Sequence, residues 1–254
     1  MAMSRSRRIT EIVIVLGLSL GVSVAYSLIG IAIRLSRPTP LGSQSATLNR
    51  SASEIEWADF AYQLVGIISG LMPVALVLFL LWQQSTPRFG ALGLDATKLG
   101  HDFAGGLGLA ALIGIPGLGL YFLSRSLDLN VTVIPSDLST YWWTVGMLIL
   151  LALRAGLLEE IIGVGYLFAR LEQLKVPLIA IIIGQALLRA SYHLYQGFGG
   201  FIGNFVMGLV FGFCYARTRR LAPLIVAHTS IDIVAFVGYP LALEYFPEIL
   251  GNLS

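Results

Sequence analysis

The sequence predicts an all-α membrane protein, a single transmembrane bundle of seven or eight helices around one buried polar site. Three observations carry the prediction. The chain is 56% hydrophobic with a mean hydropathy of +0.82, and 12% of its 254 residues are charged, against about 25% in soluble domains. Its apolar residues run on in stretches long enough to cross a bilayer, which takes about 20 residues of helix. The few ionisable residues inside those stretches fall mainly in three short motifs, Glu159-Glu160, Arg189-x-x-x-His193 and His228-x-x-x-Asp232. A charge at the bilayer centre costs roughly 2.5–3.5 kcal/mol on insertion scales, so such groups are tolerated where they face one another or a wet cavity.

The first stretch, Ile12–Ile33, follows a basic segment ending at Arg8. At about 22 residues it exceeds the 7–15 residues of a signal-peptide core, which makes it the first transmembrane helix. Phe60–Trp82 and Phe103–Leu123 supply the second and third. The fourth, Tyr141–Leu171, would be about 46 Å long as a helix, against a hydrocarbon core of about 30 Å. It must tilt, protrude or break near Gly156 or Gly163. Val176–Tyr195, Phe201–Ala216 and Leu221–Phe246 follow, and Pro240 can divide the last into an eighth short helix. Residues 1–125 then form three N-terminal spans and residues 141–246 a core of four to five spans, within one bundle.

The connections read as loops. Ser36–Ser53, rich in Ser, Thr, Pro and Gly, is a mobile outer connection, Gln83–Asp102 an inner one, and Leu127–Thr140 an outer one whose Pro135-Ser136-Asp137 can cap the next helix. Pairs of glycines four apart, Gly17/Gly21, Gly66/Gly70 and Gly208/Gly212, allow helices to approach closely. Trp57, Trp82, Trp142 and Trp143 sit near span ends, where aromatic belts belong. The basic residues set the orientation. Arg5, Arg7, Arg8, Arg88, Lys98, Arg170, Lys175, Arg217, Arg219 and Arg220 fall on one side, and Arg34, Arg37, Arg50 and Arg125 on the other. That imbalance puts the N-terminus in the cytoplasm of a plasma-membrane protein.

Several classes are excluded. A net charge of +2 argues for no nucleic-acid partner, leaving the lipid bilayer and a membrane protein or peptide as the expected partners. One cysteine, Cys214, allows neither an intramolecular disulfide nor a multi-cysteine metal site and reads as a small packing residue. His-Glu-x-x-His and phosphate-loop motifs are absent. His101 falls in a loop and reads as solvated.

The three motifs remain. Adjacent helical residues diverge by about 100°, so at most one of Glu159 and Glu160 aims squarely into a given cavity. Both could simply pair with Arg154 or Arg189 and hold helices together. Arg189 and His193 share a helix face, as do His228 and Asp232, and Asp232 could hold His228 in one tautomer. Each motif has a packing explanation taken alone, but one convergent site explains them all better. Glu159, His193 and His228 could bind a divalent metal such as zinc with a fourth position open. Equally, without a metal, a glutamate could activate water with a histidine as partner. Either route hydrolyses a carbonyl.

The motifs, in this order and spacing across Tyr141–Val237, resemble the CPBP family of intramembrane proteases, which includes type II CAAX prenyl proteases and bacteriocin-processing or self-immunity proteins. The family patterns are Glu-Glu-x-x-x-Arg, Phe-x-x-x-His and His-x-x-x-Asn/Asp; here they read Glu-Glu-Ile-Ile-Gly-Val, Arg-Ala-Ser-Tyr-His and His-Thr-Ser-Ile-Asp. The resemblance implies Glu159 as the base that activates water and His193 as its helper. His228 and Asp232 fall at oxyanion-stabilising positions, and Glu160 takes a supporting role. An ionised Asp232 cannot donate to an oxyanion, so it must be protonated or act by orienting His228. Two departures stand out: Val164 replaces the motif arginine, and Arg189 replaces the motif phenylalanine. A swap, with Arg189 supplying the missing cation, keeps the site active. The alternatives are an inactive scaffold or immunity protein of the same family and, with less support, a proton-coupled transporter, against which the two halves show no matching broken helices.

Overall fold

The structure is a computed structural model that describes residues 4–82 and 89–245. Arg88 and Phe246, both named above, lie outside the described residues, as does the start of the inner loop. The chain is a helical membrane bundle. Helices α3 (Glu56–Leu81), α4 (Leu99–Ser126), α7 (Leu178–His193), α8 (Phe198–Thr218) and α9 (Ala222–Ile233) form the expected spans, and five helical runs built on them are long and apolar enough to cross a membrane.

The first span is bent. It divides into α1 (Arg5–Gly17) and α2 (Leu20–Leu35), which meet at 53°. Ser19 Oγ donates back to the Val15 carbonyl at 2.6 Å, a side-chain bond of the kind that bends helices. A Cβ on Gly21 would lie 2.7 Å from the Leu16 carbonyl oxygen, so this glycine serves the bend rather than a helix pair. Gly70 likewise makes room for the Arg154 side chain. Of the three predicted glycine pairs, Gly208 and Gly212 alone act as a close-approach pair between helices, facing Ala186 and Gln185 of α7.

The long fourth stretch does not break. Helix α5 (Thr144–Leu158) widens into a π-helical segment at Glu159–Tyr166 and resumes as α6 (Leu167–Gln173). Gly163 and Gly165 lie in that segment, where weak helix preference lowers the cost of the wider turn. After α9, a second π segment (Val234–Gly238) leads into α10 (Tyr239–Tyr245), the short extra helix expected at Pro240.

Two loop expectations are corrected. Ser45–Asn49 (β1) and Thr132–Ser136 (β2) pair as parallel strands, with Ser45 opposite Thr132 and Asn49 opposite Ser136. The β-branched run from Val131 to Ile134 favours this over open coil. Leu41, Ala46 and Val131 then pack with Ile31, Leu194 and Tyr195, so the outer connections form a cap over the ends of α2 and α7. Pro135-Ser136-Asp137 does not cap α5, because Asp137 Oδ1 accepts from the Ser51 amide at 2.6 Å instead. His101 is exposed, as expected, but lies in the first turn of α4 rather than in a loop.

The main core forms around the π segment, where Ile162, Tyr166 and Phe168 pack with Val15, Ile181, Phe211 and Leu221. α7 packs most heavily on α8, α4 on α9, α2 on α7 and α3 on α5, so the N-terminal spans enclose the C-terminal ones. At one end, Arg170 donates through Nε to Glu11 Oε1 at 2.7 Å and through Nη2 to the Leu80 carbonyl at 2.8 Å, tying α1, α3 and α6 together. Arg220 forms a fork on Asp102 at 2.7 and 2.6 Å and also bonds Asp95. Thr97 and Arg220 hold the Asp95 carboxyl well below the usual carboxylate range, at about 2.

Candidate active site

Helices α5, α7 and α9 meet where the π segment begins. Gly156 sets the spacing: a Cβ there would lie 2.6 Å from Thr229 Oγ1, so only glycine lets α5 approach α9 this closely. His228 of α9 thereby reaches Glu160, its Nδ1 2.7 Å from Glu160 Oε1. A carboxylate partner requires the proton on Nδ1. His228 Nε2 is then turned toward Glu159 Oε2 at 3.9 Å and Asp232 Oδ2 at 3.6 Å.

Arg189 enters from α7, buried to 2% exposure, and reaches both glutamates: Nη2 donates to Glu160 Oε1 at 2.5 Å and Nη1 to Glu159 Oε2 at 3.5 Å. Its guanidinium also lies over the Phe211 ring at 5.3 Å. The sequence argument that only one glutamate could face the site is corrected here. The π turn holds more residues than an α turn, which narrows the angle between neighbours, and both glutamates meet Arg189. Arg154, the other arginine considered as a partner, forms no ion pair among the described residues and lies against Gly70 on α3.

The structure brings Glu159, Glu160, Arg189, His228 and Asp232 together. His193 stands one step back, with Nδ1 3.1 Å from the Arg189 carbonyl and its ring tilted at 43° against Tyr192, centroids 4.7 Å apart. Helix α7 ends at His193, and a tight turn, Leu194–Gln196, follows directly. The sequence reading missed Tyr192, whose hydroxyl donates to Glu159 Oε2 at 2.6 Å. Its position three residues after Arg189, on the same face, was the available signal. The expected role of Asp232 as the orienting partner of His228 falls instead to Glu160, which holds Nδ1, while Asp232 faces Nε2.

A metal does not fit this arrangement. No group of three His, Cys, Asp or Glu side chains among the described residues is placed to hold one. Arg189 Nη1 also lies 3.5 Å from both Glu159 Oε2 and His228 Nδ1, and a cation there repels another. The zinc reading, with the metalloprotease class it implied, is not supported.

The fold and site together define a multi-pass membrane protein with a buried acid–base centre. Residues 141–234 match a family model described as type II CAAX prenyl endopeptidase Rce1-like. The match spans every one of the clustered residues. Searches of curated proteins and of solved structures found no match.

Proposed function

We propose that this protein is an intramembrane endopeptidase that hydrolyses a peptide bond of a membrane-associated protein or peptide. The observation that carries the reading is Glu159. Its side chain keeps 13% exposure in a cluster whose other glutamate is sealed at 0%, and only one of its oxygens is engaged. In the proposed reaction Glu159 takes a proton from water, and the resulting hydroxide attacks the scissile carbonyl carbon. His228, protonated on both nitrogens and held by Glu160, donates from Nε2 to the oxyanion. The proton on Glu159 then passes to the leaving amine as the C–N bond breaks. Asp232 supports the imidazolium by its charge and need not donate. His193, with Nδ1 committed to a carbonyl, offers Nε2 to position the water. A membrane protein or peptide is the substrate, and the basic end that carries Arg8, Arg170, Arg219 and Arg220 supports a cytoplasmic N-terminus in the cell membrane.

The test compares N-termini of membrane proteins in cells expressing wild type or Glu159→Gln at matched levels. Termini formed only with wild type support the protease reading and name the substrate. Arg189, bonded to both glutamates, favours a second reading, a scaffold whose former base is neutralised; identical termini with both proteins folded would select it.

A further inference from the structure

The geometry points to Tyr192 as the positioning residue for the Glu159 carboxylate, keeping that base from being captured by Arg189. This rests on Glu159 acting as the base. Every polar contact of Glu159 falls on one oxygen: Oε2 accepts from the Tyr192 hydroxyl at 2.6 Å and from Arg189 Nη1 at 3.5 Å, and lies 3.9 Å from His228 Nε2. Glu159 Oε1 makes no hydrogen bond and is not among the sealed atoms of the site. The Tyr192 contact is by far the shortest of the three and lies in the range of charge-assisted O–H···O⁻ bonds, about 2.5–2.7 Å.

The phenol is itself constrained. Tyr192 is 7% exposed, its ring rests on His193 at 4.7 Å, and its hydroxyl bonds only Glu159. A carboxylate with no such anchor turns freely about its last torsion. Beside a guanidinium it would settle into a two-oxygen fork, the preferred geometry of an arginine–carboxylate pair. Arg189 already commits Nη2 to Glu160 at 2.5 Å, and Tyr192 holds Glu159 Oε2 so that the remaining nitrogen stays at 3.5 Å. One oxygen is thereby pinned and the other left facing the accessible side for water. Tyr192 thus explains how a base can stand beside a buried arginine without being neutralised by it.

The experiment uses the full chain in lipid bilayers and two readouts. In isotope-edited infrared spectra, the carboxylate band that disappears in Glu159→Gln is expected to shift in Tyr192→Phe; an unshifted band overturns the inference. In isolated membranes, the wild-type-dependent new N-termini are expected to form about 100-fold more slowly with Tyr192→Phe, the scale of a misplaced reacting group, at unchanged protein level. Incorporating 3-fluorotyrosine at position 192, which returns the hydroxyl, should restore the rate. A purely structural ring would show neither the band shift nor the rescue. Cleavage by Tyr192→Phe at the wild-type rate, with Glu159→Gln inactive, overturns the inference while leaving the proposed function standing. Cleavage unaffected by Glu159→Gln overturns the proposed function, and with it the positioning of a base by Tyr192.

Discussion

Replacing Arg189 with methionine tests the centre of the site most directly. Methionine keeps a long unbranched side chain and removes the charge. The guanidinium is 2% exposed and lies 2.5 Å from Glu160 and 3.5 Å from Glu159. Its loss leaves buried carboxylates facing one another with His228 as their only basic contact. Removing one partner of a buried pair costs about 3–5 kcal/mol. For a chain of this size each kcal/mol lowers the melting temperature by about 2–4 °C, so the variant should melt roughly 10 °C below wild type. Adding Glu160→Gln removes the uncompensated charge and should recover several degrees. The assay is a melting cycle of the wild type, both single variants and the double variant in lipid. The reasoning fails if Arg189→Met melts within about 2 °C of wild type. It fails equally if the two substitutions add within about 0.5 kcal/mol, the behaviour of sites that do not interact.

Four further outcomes follow from the same contacts. Cleavage should be abolished by His228→Ala but reduced less than about 10-fold by Asp232→Asn, because Glu160 rather than Asp232 holds Nδ1; a larger loss with Asp232→Asn in the membrane cleavage assay would contradict this. Glu11→Ala strands Arg170, a 4% exposed cation, and should cost about 3–5 kcal/mol, read as a melting shift. Gly208→Leu drives a side chain into the backbone of Ala186 and should destabilise by at least about 1–3 kcal/mol, whereas Gly66→Leu, which meets nothing within 4 Å, should be close to neutral by the same melt. Asp95 is held at about 2, below the roughly 3.9 of an unfolded chain, so its contribution is present above pH 4 and lost as pH falls through 2. Melting between those values should therefore flatten in Asp95→Asn.

The sequence predicts the bundle because lipid leaves the backbone few alternatives. Runs such as Phe60–Trp82 must satisfy their amides internally, and only a helix does so within one segment. It also predicts the convergence of Glu159, Glu160, Arg189 and His228, since each would be costly alone. What it could not show was local geometry. Neither the π turn at Glu159 nor the close fit of Gly156 against Thr229 leaves a mark in the apolar periodicity. The bend at Ser19 needs a hydroxyl that reads as an ordinary polar residue in an apolar run. The strand pairing of Ser45–Asn49 with Thr132–Ser136 joins segments nearly 90 positions apart, which composition alone had marked as open loops. Tyr192 was hidden for another reason: a tyrosine in an apolar helix is usually a packing residue, and its hydroxyl mattered only once Glu159 was placed beside it.

The two departures from the family pattern become one once the contacts are known. Val164 is fully buried among Ile162, Tyr166 and Phe168 in the main core, where a guanidinium would find apolar surroundings. Arg189, arriving from the neighbouring helix, reaches both glutamates instead. The cation at the acids is thus supplied by the helix that faces them rather than by the helix that carries them. The exchange keeps charge near balance: two glutamates and Asp232 are met by Arg189 and by a His228 that can carry a proton. It also changes connectivity, because the ion pair now links α5 to α7 rather than residues within one helix. An intrahelical arginine would steady the acids alone. An interhelical one makes their charge state and the packing of α7 interdependent, so anything that parts α7 from α5 also unpairs the site. On that argument Val164→Arg restores the charge lost in Arg189→Leu without restoring the link. It should regain cleavage only in part and leave the melting temperature low; full recovery of both would show that charge alone mattered.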